Sequence, residues 1–256
     1  MANVQLEQNE NGVTWIRINR EEIRNAVNFE VMEELDELLT IAEGDESKVV
    51  IISGVGKKSF CSGGDLSVFQ HIMNEEDAGS MLKRMGVILE RIAFFPKITI
   101  AALNGTAVGG GAELASACDL RIAAPHIRVG FVQANLAITT GWGGGTLLLE
   151  RMAKSEALQM LLSAQMYSAG ELLRNGFVQK VITKDSFEDG VMDYAAPFLS
   201  KSQMVLQAYK RRFMDRINQE RIHMNMQKEI RECAKLWETE EHHEAVRAFL
   251  QRSKNI

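Results

Sequence analysis

The chain has no long hydrophobic run. Its longest apolar stretches, 49–52 and 98–103, are far too short to span a bilayer. No basic segment followed by an apolar one opens it, so no export signal is expected, and the expectation is a cytoplasmic protein with no membrane partner. Cysteine is scarce: Cys61, Cys118 and Cys233 are scattered, odd in number and outside any CxxC pair. That excludes a disulfide frame and a cysteine zinc site, and it implies reduced thiols and no metal. Cys118 reads as buried filler, and nothing beside Cys61 marks a nucleophile. Neither GxGxxG nor GxxxxGK[ST] occurs, so the signature loops that cradle nucleotide phosphates are missing. Positive charge is also short, 29 Lys and Arg against 34 Asp and Glu, which removes bulk attraction to nucleic acid. The one basic cluster, Lys210-Arg211-Arg212, reads as a solvated helix face, with contact to a phosphorylated small molecule as the alternative. There is no internal repeat and no low-complexity linker.

What is present is a chain of 256 residues, long enough for one sizeable core plus an appendage. Val13 opens an alternating strand, 13–19, after the turn at 9–12, and 48–53 and 98–103 read as β-branched buried strands. A helix is expected from Phe29 to Ile41 with Asn28 as its N-cap, and another over 66–95, broken near 77–80 and stopped by Pro96. A short apolar helix, 112–118, and a strand, 119–124, follow. Beyond Ser155 the pattern is mostly helical, over 155–163, 186–200, 203–217, 220–236 and 239–252. Strands alternating with helices predict an α/β core over 1–200, and 201–256 reads as a helical region that must bury its apolar face on the core, on another subunit, or on both. The adjacent His242 and His243 do not share a helix face and are expected at the surface or in an interface.

Three stretches carry possible chemistry. Ser59-Phe60-Cys61-Ser62-Gly63-Gly64-Asp65-Leu66 follows a strand. By itself it suits a tight turn with Asp65 capping the next helix, and its small residues would also let a ligand approach the backbone. Asn104-Gly105-Thr106-Ala107-Val108-Gly109-Gly110-Gly111-Ala112-Glu113-Leu114 puts glycine amides at a helix start, where anions are favoured, with a carboxylate three residues past Gly110. Such a pairing can stabilise an oxyanion while a proton moves at the neighbouring carbon, although a plain Gly-rich turn reads the same. The third stretch, Gly130 through Gly145, ends in Gly141-Trp142-Gly143-Gly144 and signals a special turn before a helix.

Together, in this order and at these separations, the three stretches resemble the crotonase superfamily, the enoyl-CoA hydratase/isomerase family. Arg24-Asn25-Ala26-Val27-Asn28 is similar to the family's early Arg-Asn-Ala-Leu-Asn element, and 242–252 to its closing helix. The resemblance implies a crotonase-like (ClpP/crotonase) ββα spiral with a helical C-terminal trimerisation region, as a trimer or dimer of trimers. It implies an acyl-CoA thioester as substrate and no separate cofactor. By position the oxyanion-hole amides fall on Ser62 and Gly110, and the acid/base on Glu113. Arg24, Ala26 and the run Ser62, Gly63, Gly64, Asp65 and Leu66 would hold the CoA. Lys210, Arg211 and Phe249 are further candidates for touching it, and Phe69, Ile72, Met73, Met81 and Met85 for lining the acyl pocket.

The sequence departs from the family pattern at one position. Family hydratases place a second glutamate nine residues before this Trp, and counting back from Trp142 gives Gln133. Thr140 stands where proline is usual. An amide can orient a water but cannot exchange a proton near neutral pH. The resemblance therefore implies a hydratase/isomerase working through an enolate with Glu113 as sole acid/base. A malonyl-type (methylmalonyl- or ethylmalonyl-CoA) decarboxylase is one alternative, and a non-catalytic acyl-CoA- or RNA-binding relative is another.

Overall fold

The structure, a computed structural model, describes residues 2–9 and 11–253; Glu10, in the expected turn at 9–12, lies outside the described residues. Two sheets organise the chain. The larger has the order β1-β2-β3-β5-β7-β10, from β1 (Val4–Asn9), β2 (Val13–Ile18), β3 (Val49–Gly54), β5 (Ile98–Leu103), β7 (Leu120–Ala123) and β10 (Lys180–Val181). Its first pair is an antiparallel hairpin and the rest is parallel. The smaller joins β4 (Ser59–Cys61), β6 (Thr106–Val108) and β8 (Arg128–Gly130) in parallel, with β9 (Tyr167–Ser168) antiparallel at its edge.

The chain moves repeatedly from a long strand of one sheet to a short strand of the other. Two of these turns end in a helix: β3-β4 leads to α2 (Leu66–Phe69) and α3 (Glu75–Ala93), and β5-β6 to α4 (Gly110–Ala117). The turn β7-β8 leads to a 3-10 turn over Gln133–Leu136. Parallel pairing of β4, β6 and β8 sends the three glycine-bearing loops out of the same sheet end. Every residue of β3 is buried, which suits its β-branched content, and each such Val or Ile contributes about 1.5–3 kcal/mol. The first long helix, α1 (Phe29–Gly44), starts where Asn28 accepts the Val31 N–H, and it buries Val31, Met32, Leu35, Leu39 and Ala42.

The expected break near 77–80 lies instead at 70–74. Asn74 accepts the Asp77 N–H, and Glu75, Glu76 and Asp77 complement the positive end of α3, so the new helix starts there and runs through Gly79 and Ser80.

The remaining helices are α5 (Gly144–Arg151), α6 (Lys154–Ser163), α7 (Ala169–Arg174), α8 (Phe187–Leu199), α9 (Gln203–Asp215), α10 (Gln219–Trp237) and α11 (Glu240–Ser253). Two expectations for this region are corrected. Lys210 is not on a solvated face: it is 6% exposed and ion-paired with Asp119, which also meets Arg151 at 3.4 Å. It is thereby tied to the core, whereas Arg211 and Arg212 are exposed. His242 is not a surface residue: it is 2% exposed, with Nδ1 2.7 Å from the Leu136 carbonyl and its ring beside Trp237. The outer face of α9 does expose apolar side chains, Met204 at 78%, Tyr209 at 70%, and Val205 and Phe213 less so. Among the described residues no helix is long and apolar enough to cross a membrane.

Candidate active site

A cavity of about 690 Å³ opens where the three loops meet. Ser62, Gly63, Gly64 and Leu66 border it from the first loop, Gly110 and Glu113 from the second, and Gln133 and Trp142 from the third. The C-terminal helices close it with Cys233, Trp237, Phe249 and Arg252, so the cavity is not confined to residues 1–200. Three of the expected CoA contacts, Arg24, Ala26 and Asp65, are not among its walls. Asp65 instead caps α2 through the Ser67 N–H and pairs with Arg20 at 3.1 Å. Phe69 and Met81 line the cavity as expected. Met85 is core, and Ile72 and Met73 face a separate space of about 90 Å³ behind Phe69 and Trp237.

One expected oxyanion donor is corrected. The Ser62 N–H donates to the Arg24 carbonyl at 3.1 Å and is not available to a ligand. Val27 bridges to the same segment, donating to the Gly63 carbonyl and accepting the Asp65 N–H, both at 2.8 Å. Between these pairings the Gly64 N–H meets no acceptor among the described residues, and neither does the Gly110 N–H at the start of α4. The two loops touch: a Cβ on Gly63 would stand 3.1 Å from the Gly110 nitrogen. The Trp142 indole packs on both, since a Cβ would come within 3.8 Å of it at Gly64 and 2.2 Å at Gly110. Only glycine fits at Gly110.

Glu113, on the first turn of α4, is 2% exposed. Its Oε2 accepts the Trp142 and Gly144 N–H groups at 2.9 Å each; its Oε1 accepts Gln133 Nε2 at 2.7 Å and, more weakly, the Gly141 N–H at 3.4 Å. The Gly-Trp-Gly-Gly sequence is explained by this grip, because a Cβ on Gly144 would lie 2.2 Å from the Glu113 Cβ. Burial pushes the Glu113 carboxyl up to about 8, the Glu229 charge adds to the rise, and the Gly144, Trp142 and Gly141 N–H groups oppose it. A carboxyl held near neutrality can both take and return a proton. The oxygen of the Gln133 amide, Oε1, is buried without a partner. Turning that amide over would let its oxygen accept a hydrogen bond from neutral Glu113, so Gln133 can serve either protonation state without exchanging a proton itself.

Two neighbours were invisible to sequence reasoning. Cys233, whose thiol donates to the Thr139 carbonyl at 3.3 Å, is kept neutral by burial. Glu229, on α10, accepts the Gly145 and Thr146 N–H groups at 3.0 and 2.7 Å and the Thr146 hydroxyl at 2.6 Å. Neither carries a local motif; only the folding of α10 against α5 brings them to the site. Cys61, by contrast, is fully buried with its thiol pushed up to about 12, which suits a packing role.

Comparison with known proteins adds independent findings. A family profile described as enoyl-CoA hydratase/isomerase matches residues 8–255. A short-chain-enoyl-CoA hydratase of Clostridium acetobutylicum is 32% identical over 99% of this chain and 97% of its own length. An ethylmalonyl-CoA decarboxylase of Gallus gallus is 33% identical over 82% of this chain and 72% of its own. A solved carnitinyl-CoA hydratase from Mycobacterium avium superposes with a TM-score of 0.86 at 29% identity, covering 98% of this chain and 97% of that one.

Proposed function

The chain belongs to the enoyl-CoA hydratase/isomerase family, and from that premise we propose that it hydrates or isomerises enoyl-CoA thioesters through an enolate, with Glu113 as the sole acid/base. One observation supports this above the others: two acceptor-free amides, Gly64 and Gly110, border the same cavity as a buried, proton-holding carboxyl. The thioester oxygen would accept both N–H groups, the second aided by the positive end of α4. Fixed donors in a site screened from water stabilise enolate charge without reorganising.

In hydration, Glu113 as carboxylate takes a proton from a water while the water oxygen bonds to C3 and the C2–C3 π electrons move onto the thioester oxygen. The neutral Glu113 then returns that proton to C2. Gln133, standing where the family's second glutamate is expected, would accept a hydrogen bond through Oε1 from the O–H that the water keeps. In isomerisation Glu113 takes a proton from C2 of a 3-enoyl thioester and returns it at C4, which needs no second acid/base.

A second reading, decarboxylation of a malonyl-type CoA, is favoured by the Gallus gallus relative. As the Gln133 amide stands, however, its free atom is an acceptor that would repel a carboxylate. The test is purified protein with crotonyl-CoA, a 3-enoyl-CoA and ethylmalonyl-CoA. Turnover of either enoyl-CoA, abolished by Glu113→Gln, is expected. Turnover of ethylmalonyl-CoA alone would overturn the proposal.

The finer points belong to the same proposal. No cofactor beyond the CoA of the substrate is needed for these proton transfers, and main chain near Ala26 and along Ser62–Asp65 would carry the CoA body. Residues 201–256 would join copies of this chain into a trimer or a dimer of trimers through the exposed face of α9. Three free buried thiols suit the reducing cytoplasm. The net charge of −5 disfavours RNA, and a gripped Glu113 disfavours a purely binding role.

A further inference from the structure

Two carboxylates share the start of one helix. Glu113 holds the Trp142 and Gly144 amides, and Glu229 holds those of Gly145 and Thr146, so the two side chains divide the exposed N–H groups at the head of α5 between them. Only Glu113 borders the cavity. Glu229 comes from α10, in the helical region beyond residue 200, and also takes hydrogen bonds from the Thr146 and Thr140 hydroxyls. Thr140 is the residue that stands where proline was expected.

We infer that Glu229 is a positioning residue for Glu113: it clamps the head of α5 so that the Trp142 and Gly144 amides stay on Glu113, and it places a second negative charge behind it. An ordinary helix cap would need only the first property. The second matters because Glu229 supplies the chief neighbouring charge that raises the Glu113 carboxyl. Burial raises the Glu229 carboxyl too, and hydrogen bonds from Thr140, Thr146 and Gly145 resist that rise and favour its ionised form.

The surroundings leave Glu229 as the group that can do this. On its own helix Cys233 is a neutral thiol, while the neighbouring Lys228 and Glu232 are exposed to solvent, where their charges are screened. On α3 and α5, packed against α10, Arg84 is paired with Glu33, Glu90 with His223 and Glu150 with Arg221. Gln133, on the far side of Glu113, is uncharged. The family's missing second glutamate faces the substrate; Glu229 faces the base. It does not replace proton transfer, but it sets the pH at which the one remaining carboxyl exchanges its proton.

This rests on Glu113 being the acid/base, so the experiment keeps the two apart. The Glu113 carboxyl carbon is titrated by NMR in the wild-type protein and in Glu229→Gln, beside pH profiles of kcat/KM on the enoyl-CoA that is turned over. Glu229→Gln keeps the shape and removes the charge. The titration and the profile's inflection should move together to lower pH by about one unit or more, the shift typical of losing a neighbouring like charge. Thr140→Val, which leaves Glu229 in place but loosens it, should shift both by less; Thr140→Ser should restore them. Glu232→Gln, exposed on the same helix, should change neither. A folded Glu229→Gln protein whose Glu113 titrates as in wild type overturns the inference, as does activity lost equally at every pH. If Glu229→Gln does not fold, an unmoved titration in Thr140→Val overturns it. A shift in the titration with no enoyl-CoA turned over would sustain the positioning role and sink the proposed reaction.

Discussion

Gln133 Nε2 lies 2.7 Å from Glu113 Oε1, and the Gln133 Oε1 has no partner in the cavity wall. The amide nitrogen is thus committed to the acid/base, while the amide oxygen is buried with its hydrogen-bonding capacity unused. Hydration needs an oriented water; isomerisation does not. Gln133→Ala is expected to slow hydration by about tenfold to a hundredfold, the worth of a hydrogen bond to a charged group, while slowing isomerisation less. Stopped assays on crotonyl-CoA and a 3-enoyl-CoA measure this, and equal losses on both would remove the water-orienting role.

The raised Glu113 carboxyl also bears on stability. Its folded value, about 8, lies above the ordinary glutamate value, so the folded state holds a proton that the unfolded chain has released. The contribution is fully present below about pH 4 and is lost as pH rises towards 8, since ionising a buried carboxyl costs more than ionising a solvated one. Chemical denaturation between pH 5 and 9 should show the wild type losing stability relative to Glu113→Gln, by on the order of a few kcal/mol across the range. The pH slope is diagnostic, because the glutamine also sets an NH2 group against the Trp142 and Gly144 donors. Parallel curves would mean that Glu113 titrates normally.

How much was legible follows from which forces were local. The strands at 13–18, 49–54 and 98–103 were readable because their β-branched runs are buried in a parallel sheet, and the Asn28 cap because Asn before an apolar repeat binds the backbone nearby. That Glu113 and Gln133 face one another was within reach of the family resemblance, which places both by motif and by the count back from Trp142. The choice between Ser62 and Gly64 was not. Gly63 sits at φ 92°, which breaks the alternation of N–H directions along the loop, and only the Arg24 and Val27 pairings reveal which amide is left over. Lys210 and His242 were misplaced for a related reason: their partners, Asp119 and Leu136, are remote in sequence.

Gly110 tests the packing that aims the oxyanion donors. A methyl group there would stand 2.2 Å from the Trp142 ring, displacing the indole that packs on both donor loops. Gly110→Ala is expected to lower kcat by about 10²–10³-fold, the loss typical of one oxyanion donor. Overpacking should cost about 1–3 kcal/mol of stability, leaving a folded protein by circular dichroism. An alanine variant of near wild-type kcat would show that the Trp142 indole is not needed to aim the two amides.

Lys210 should matter for stability and not for chemistry. Lys210→Ala leaves Asp119 part-buried with Arg151 as its remaining cation, and breaking such a pair costs about 3 kcal/mol. Lys210→Met with Asp119→Asn should recover part of that loss, since no uncompensated charge remains. Denaturant titration gives both numbers. kcat per folded molecule should hold, because Lys210 is not among the cavity walls. A KM for acyl-CoA raised more than tenfold in a folded Lys210→Ala would restore the residue to the ligand.

The exposed face of α9 bears on assembly. Met204 and Tyr209 are 78% and 70% exposed on a helix whose Lys210 anchors it firmly to the core, so the apolar face is held outward. Solvated apolar side chains at this density are the mark of a surface that associates. Replacing both by glutamate puts like charges into any such contact, at little cost to the isolated chain, since neither side chain packs inward. Sedimentation equilibrium of the wild type should give a trimer or hexamer, and Met204→Glu with Tyr209→Glu a smaller species of unchanged helix content. A double variant that keeps the wild-type mass would move the interface to another face.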